Sequence, residues 1–77
     1  MEELKMLSQD EVAELLNTTR QHVSILRDIG ILRATKTGKG YMFSQQEIKE
    51  FQEQYKGYDV SNKFKAIESY KAVNNIN

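Results

Sequence analysis

The sequence predicts a mostly α-helical domain with one small β-hairpin and a C-terminal tail helix. Three observations predict it. The tetrads Ser8-Gln9-Asp10-Glu11 and Ser44-Gln45-Gln46-Glu47 each open a stretch with apolar residues three and four apart. Gly38 and Gly40 lie between two β-prone pieces. The chain has 77 residues, one small domain that buries only about 60–65% of its unfolded surface.

The first helix starts at Ser8. Its hydroxyl and the Glu11 carboxylate can each satisfy an orphan backbone N–H. Asp10 and Glu11 suit the positive end of the helix dipole. Val12, Ala13 and Leu16 form one buried stripe, with Leu15 at its edge. Asn17 ends the helix, because after Gly it best tolerates a left-handed backbone. Thr19 is the N-cap of a second helix, Arg20 to Ile29, and Gly30 stops it. Val23, Ile25, Leu26 and Ile29 cover one broad side. Arg20, Ser24 and Arg27 fall at i, i+4 and i+7 on the other, beside Gln21 and Asp28.

A strand is expected over Ile31–Thr35, a turn over Lys36–Gly40, and a short return strand over Tyr41–Phe43. Ser44 caps a third helix through about Tyr55, with Ile48, Phe51 and Tyr55 on its apolar side, and Gly57 breaks it. Residues 1–57 thus read as one domain and 58–77 as a tail. In the tail Val60, Phe64, Ile67 and Tyr70 recur at helical spacing, which predicts a helix over 61–73. The last four residues, Asn74 to Asn77, read as frayed. The tail stripe has two readings: it packs back on a thin core, or it meets another copy of the chain.

Composition excludes several classes. Without cysteine there is no disulfide or thiolate metal site, and one histidine does not make a zinc site alone. No apolar run nears the ~20 residues of a membrane span, and no N-terminal stretch reads as a signal peptide. The expectation is a cytoplasmic protein with no membrane partner and no cofactor. His22 reads as a half-buried structural residue. The carboxylates Asp10, Glu11 and Glu14, and Glu47, Glu50 and Glu53, read as caps and solvated helix faces. No nucleophile–base set or phosphate loop appears, so an enzyme is not expected.

Charge is divided along the chain. The formal net charge is zero, which at face value argues against a nucleic-acid partner. By segment, residues 1–17 carry −4, 18–43 carry +4, 44–60 carry −2 and 61–77 carry +2. The basic middle is Arg20, Arg27, Arg33, Lys36 and Lys39 against Asp28 alone. A basic block between acidic ones points to an anionic partner.

Helix, turn, helix, basic hairpin, helix is the layout of a winged helix-turn-helix, here with a C-terminal tail helix. The blocks Leu7-Ser8-x-x-Glu11-Val12-Ala13-x-x-Leu16, Thr19-Arg20-Gln21-x-Val23-x-x-Leu26, Gly30-x-Leu32 and Gly40-Tyr41-x-Phe43-Ser44-x-x-Glu47-Ile48 carry a further likeness. Over about residues 6–54 the chain resembles the small excisionase-type DNA-binding domains, relatives of the mercury-resistance-regulator superfamily. It departs from their pattern at Asn17, where Gly is frequent, at Thr18, where an apolar residue is preferred, and at Ile25, Arg27 and Ile29, where polarity is often reversed.

The resemblance implies that the helix starting at Arg20 is the recognition helix and that the hairpin is the wing. It implies a double-stranded DNA partner, several copies side by side, and an integrase or recombinase as a further partner. Ala13 matches the small residue where the two motif helices cross. Arg20 has the fork that grips guanine O6 and N7, and Gln21 the amide that pairs with adenine. Thr19 sets backbone N–H groups toward a phosphate. Ser24 is small enough for close approach, and Arg27, one turn on, suits phosphate. Lys36, Thr37 and Lys39 on the wing, with Arg33 on the strand leading to it, suit backbone or minor-groove contacts. Tyr41 either donates its hydroxyl to phosphate or packs.

Three functions are thus in view for a chain of bacterial or prophage origin. One is an excisionase-like factor that shapes DNA for recombination. Another is a small transcriptional regulator using the same module. A third is an adaptor or phage packaging component that meets proteins through its acidic helices instead of DNA.

Overall fold

The computed structural model describes residues 5–75 and contains four helices and a three-stranded antiparallel sheet. Strand β1 (Leu7–Ser8) runs straight into helix α1 (Gln9–Leu15). The Ser8 hydroxyl accepts from the Glu11 N–H at 3.1 Å, and the Glu11 carboxylate accepts from the Ser8 N–H at 2.9 Å. The Ser8 N–H, and after it the Ser8 hydroxyl, hold the Glu11 carboxyl below its ordinary value. Asn17 takes the left-handed conformation expected of it, with φ 56°. Thr18 then donates to the Ala13 carbonyl at 2.8 Å, closing the turn between the first two helices.

Helix α2 (Arg20–Ile29) starts with the Thr19 hydroxyl accepting from the His22 N–H at 3.1 Å. It stops at Gly30, whose φ of 108° only glycine adopts readily. Strand β2 (Thr35–Thr37) and strand β3 (Gly40–Phe43) form the hairpin, and β3 is central in the order β1-β3-β2. The registers Leu7 with Phe43 and Thr35 with Met42 tie both ends of the motif to one strand.

The expected strand over Ile31–Thr35 is displaced. Ile31 and Leu32 are not in the sheet; both are buried in the core immediately after Gly30. Lys36 and Thr37 extend β2, and the turn narrows to Gly38 and Lys39. An apolar pair after a helix stop can serve as core plug or strand, and here burial beneath α2 decides it. Strand β1 was not foreseen, since two residues carry no alternation.

Helix α3 (Gln45–Gln54) has the Ser44 half of its cap, the hydroxyl accepting from the Glu47 N–H at 3.0 Å. Ile48 and Tyr55 are buried, and the Phe51 and Tyr55 rings stack with centroids 5.5 Å apart. Burial pushes the Tyr55 hydroxyl pKa up. Phe43, Leu26, Leu32, Val12 and Val23 make the centre of the core.

Helix α4 (Lys63–Val73) packs on α2. Its inward face is Ala66 and Ser69, with Tyr70 and Val73 half-buried beside them. The stripe read from the sequence is therefore rotated. Val60, Ile67 and Tyr70 are half-buried, but Phe64 is 79% exposed. A small residue wins the inward place because Ala66 lets α4 approach α2 closely, where a phenyl ring would hold it off. Asn74 caps the end of α4; Ile76 and Asn77, part of the expected frayed end, lie outside the described residues, as do the acids Glu2 and Glu3.

Candidate nucleic-acid interface

Helix α2 is held on three sides, which fixes the face it presents. From α1, the Gln9 side-chain amide donates to the Arg20 carbonyl at 2.9 Å and to the Ser24 hydroxyl. From the tail, the Val60 carbonyl lies 2.6 Å from His22 Nε2. A carbonyl only accepts, so His22 carries its proton on Nε2. From the wing, Tyr41 lies under Arg27, whose guanidinium carbon is 3.8 Å from the ring centroid. The half-buried, structural role expected of His22 is the one found.

The candidate residues fall out as follows. Arg20 is exposed in the first turn of α2, 3.6 Å from the exposed carboxylate of Asp10. Gln21 beside it is exposed. Arg27 has only 21% of its side chain exposed and also meets Asp28 at 3.1 Å. Lys36 faces Tyr41 across the hairpin, its Nζ 5.9 Å from the ring. Tyr41 thus gathers two cations, one from the helix and one from the wing, over one aromatic surface. Tyr41 is itself 38% exposed, so it packs without being buried.

Thr37 is occupied at the wing tip. Its hydroxyl donates to the Gly40 carbonyl at 3.0 Å and lies 3.2 Å from the Lys39 N–H. Lys39 projects from the turn and is exposed. Arg33 stands elsewhere: it lines a polar cleft of about 370 Å³ with Glu47 and Glu50 of α3 and Tyr70 of α4. Gln9 was missed by sequence reasoning. A single glutamine in a first helical turn carries no signal until its partners are seen. Among the described residues no group of three or more His, Asp or Glu side chains is placed to hold a metal ion. No helix among them is long and apolar enough to cross a membrane.

The sequence model of the helix-turn-helix domain family matches residues 6–56. The chain belongs to this helix-turn-helix domain family. The family includes excisionase-like DNA-binding domains, and membership supports DNA binding. No curated protein and no solved structure matches the chain. Within the family's terms α1 and α2 are the two motif helices and β2–β3 the wing, with α4 added beyond the matched residues.

Proposed function

We propose that this chain is a sequence-specific binder of double-stranded DNA that acts as an excisionase-like architectural factor in the cytoplasm of a bacterium or its prophage. The observation that carries this reading is the helix face of Arg20, Ser24 and Arg27 joined to the wing through Tyr41. In this reading α2 enters the major groove by its first turn, with Arg20 on a guanine and Gln21 on an adenine. The Thr19 end of the helix, Arg27, Lys36, Thr37 and Lys39 meet the phosphates flanking it. Tyr41 supports that group from beneath, and Arg33 joins from its cleft. Several copies bind side by side, with Val60, Phe64, Ile67 and Tyr70 on the element that links them, and a recombinase is the partner they serve.

Five basic residues per copy set the salt dependence. Binding to a duplex should fall with a log–log slope of about −4 if nearly all of them meet phosphate. Fluorescence anisotropy across a salt series measures it. Affinity that is flat in salt for every duplex tried sinks the reading. Arg20→Ala should erase the preference for a selected site over random DNA, and retained preference would remove Arg20 from base reading. A recombination assay with an integrase, beside a reporter driven by the chain's own upstream region, separates the architectural role from transcriptional control.

A further inference from the structure

We infer that Gln9 of α1 is a positioning residue that holds the Ser24 hydroxyl of α2 as a hydrogen-bond donor toward a base edge in the major groove, a role that rests on the proposed DNA reading. Through it α1 takes part in choosing the sequence that α2 reads.

One atom of Gln9 meets two partners on α2. Its Nε2 donates to the Arg20 carbonyl at 2.9 Å and to the Ser24 hydroxyl. A carbonyl only accepts, so the Gln9 atom facing it is the amide nitrogen and not the amide oxygen. That nitrogen carries two N–H donors, and the two acceptors use both. Ser24 Oγ therefore accepts from Gln9, and its own proton is left to place.

A serine inside a helix can place that proton on the carbonyl four residues back. For Ser24 this is the Arg20 carbonyl, the one that Gln9 engages. Gln9 thus holds both ends of the bond that would turn the hydroxyl back onto its own helix. Among the described residues the Ser24 hydroxyl makes no other hydrogen bond. The bond received from Gln9 also polarises the hydroxyl and strengthens it as a donor.

Ser24 follows Arg20 by one helical turn on the same face, about 6 Å along the axis. That spans about two base steps of a strand. Guanine, adenine and thymine each offer an acceptor in the major groove, whereas cytosine offers its amino donor. A hydroxyl proton enclosed against cytosine lacks an acceptor, which costs free energy. Ser24 should therefore disfavour cytosine about two steps from the guanine that Arg20 reads.

Selection from random duplexes, then affinities for single-base changes around the selected site, tests this on the full chain. The wild type should disfavour cytosine by about three- to tenfold at one position near the Arg20-dependent guanine. Ser24→Ala should flatten that position alone. Gln9→Met keeps the unbranched shape without a donor and should flatten the same position. It should leave the guanine preference and the salt slope in place, since neither residue is charged. The two changes together should do no more than either alone. Thermal melts check that the variants fold, and Gln9→Ala replaces Gln9→Met if that one does not.

A Gln9 that only braces the helices would weaken every duplex alike and leave the cytosine discrimination intact, which overturns the inference. So does a discrimination lost in Ser24→Ala but kept in Gln9→Met, or losses that add in the double variant. A wild type that keeps the guanine preference without disfavouring cytosine overturns the inference and spares the DNA reading. A wild type with no base preference at all overturns both.

Discussion

Arg27 and Tyr41 meet face to ring, 3.8 Å from guanidinium carbon to centroid, and so join the second motif helix to the wing. Exposed cation–π pairs are worth about 0.5–1 kcal/mol. A double-mutant cycle of Arg27→Ala and Tyr41→Ala in urea unfolding should return a coupling of about that size. Tyr41→Phe should keep it, since the ring and not the hydroxyl makes the contact. A coupling near zero would mean that the wing is not fastened to α2 through this pair.

Gly30 and Gly38 should respond oppositely to alanine. At Gly30 the φ of 108° is hostile to a side chain, and an added Cβ would lie 3.3 Å from the Tyr70 hydroxyl oxygen. Gly30→Ala should cost about 1–2 kcal/mol. Gly38 lies outside the left-handed region with nothing within 4 Å of the new atom, so Gly38→Ala should stay within about 0.5 kcal/mol of wild type. Thermal unfolding of the two variants makes the comparison.

Acid should loosen the start of the tail. The hydroxyl and N–H of Ser61, and then Lys65, hold the Asp59 carboxyl at about 2, below its ordinary 3.8. A carboxyl with a lowered folded pKa adds stability above its ordinary pKa and loses it as pH falls through the folded value. Melting temperature followed from pH 6 downward should therefore fall less steeply for Asp59→Asn than for wild type between about pH 4 and 2. Parallel curves would show that Asp59 does not contribute in that window.

His22→Ala removes the bond to the Val60 carbonyl and should cost about 1 kcal/mol. The more telling readout is local. Amide exchange should quicken in the first turn of α4, while the first turn of α1, which is capped independently, keeps its protection. Uniform quickening would mean that His22 only contributes to global stability.

A chain cut after Gly57 should lose cooperative unfolding. Ala66 is fully buried, and Tyr70 and Val73 pack against the same core, so the cut uncovers α2 in a domain already short of buried area. Calorimetry reads the outcome. A sharp transition in the shortened chain would show that residues up to 57 suffice for folding.

The helices of the motif were legible because their ends are written in local chemistry. Ser8 with Glu11, Thr19, Asn17 and Gly30 each act within a few residues of where they stand. Rules that depend on neighbours far along the chain were not legible. Ile31 and Leu32 look like the start of a strand until α2 is placed above them. The face of α4 follows from how closely Ala66 can approach α2, which a helical wheel ranks below the bulk of Phe64. Among the site residues, the common face of Arg20, Ser24 and Arg27 follows from helix period. That Gln9 binds Ser24, or that Arg33 shares a cleft with Glu47 and Glu50, required the fold.

The three supports of α2 also decide where this chain is free to vary. Ser24, His22 and Arg27 each hold another part of the molecule, and Arg20 stands against Asp10. A substitution at any of them alters the surface and the framework together. Gln21 is exposed and its side chain makes no hydrogen bond among the described residues. Descendants of this sequence could exchange that one residue repeatedly, trying new surfaces at the head of the helix, while the rest of the domain keeps its shape.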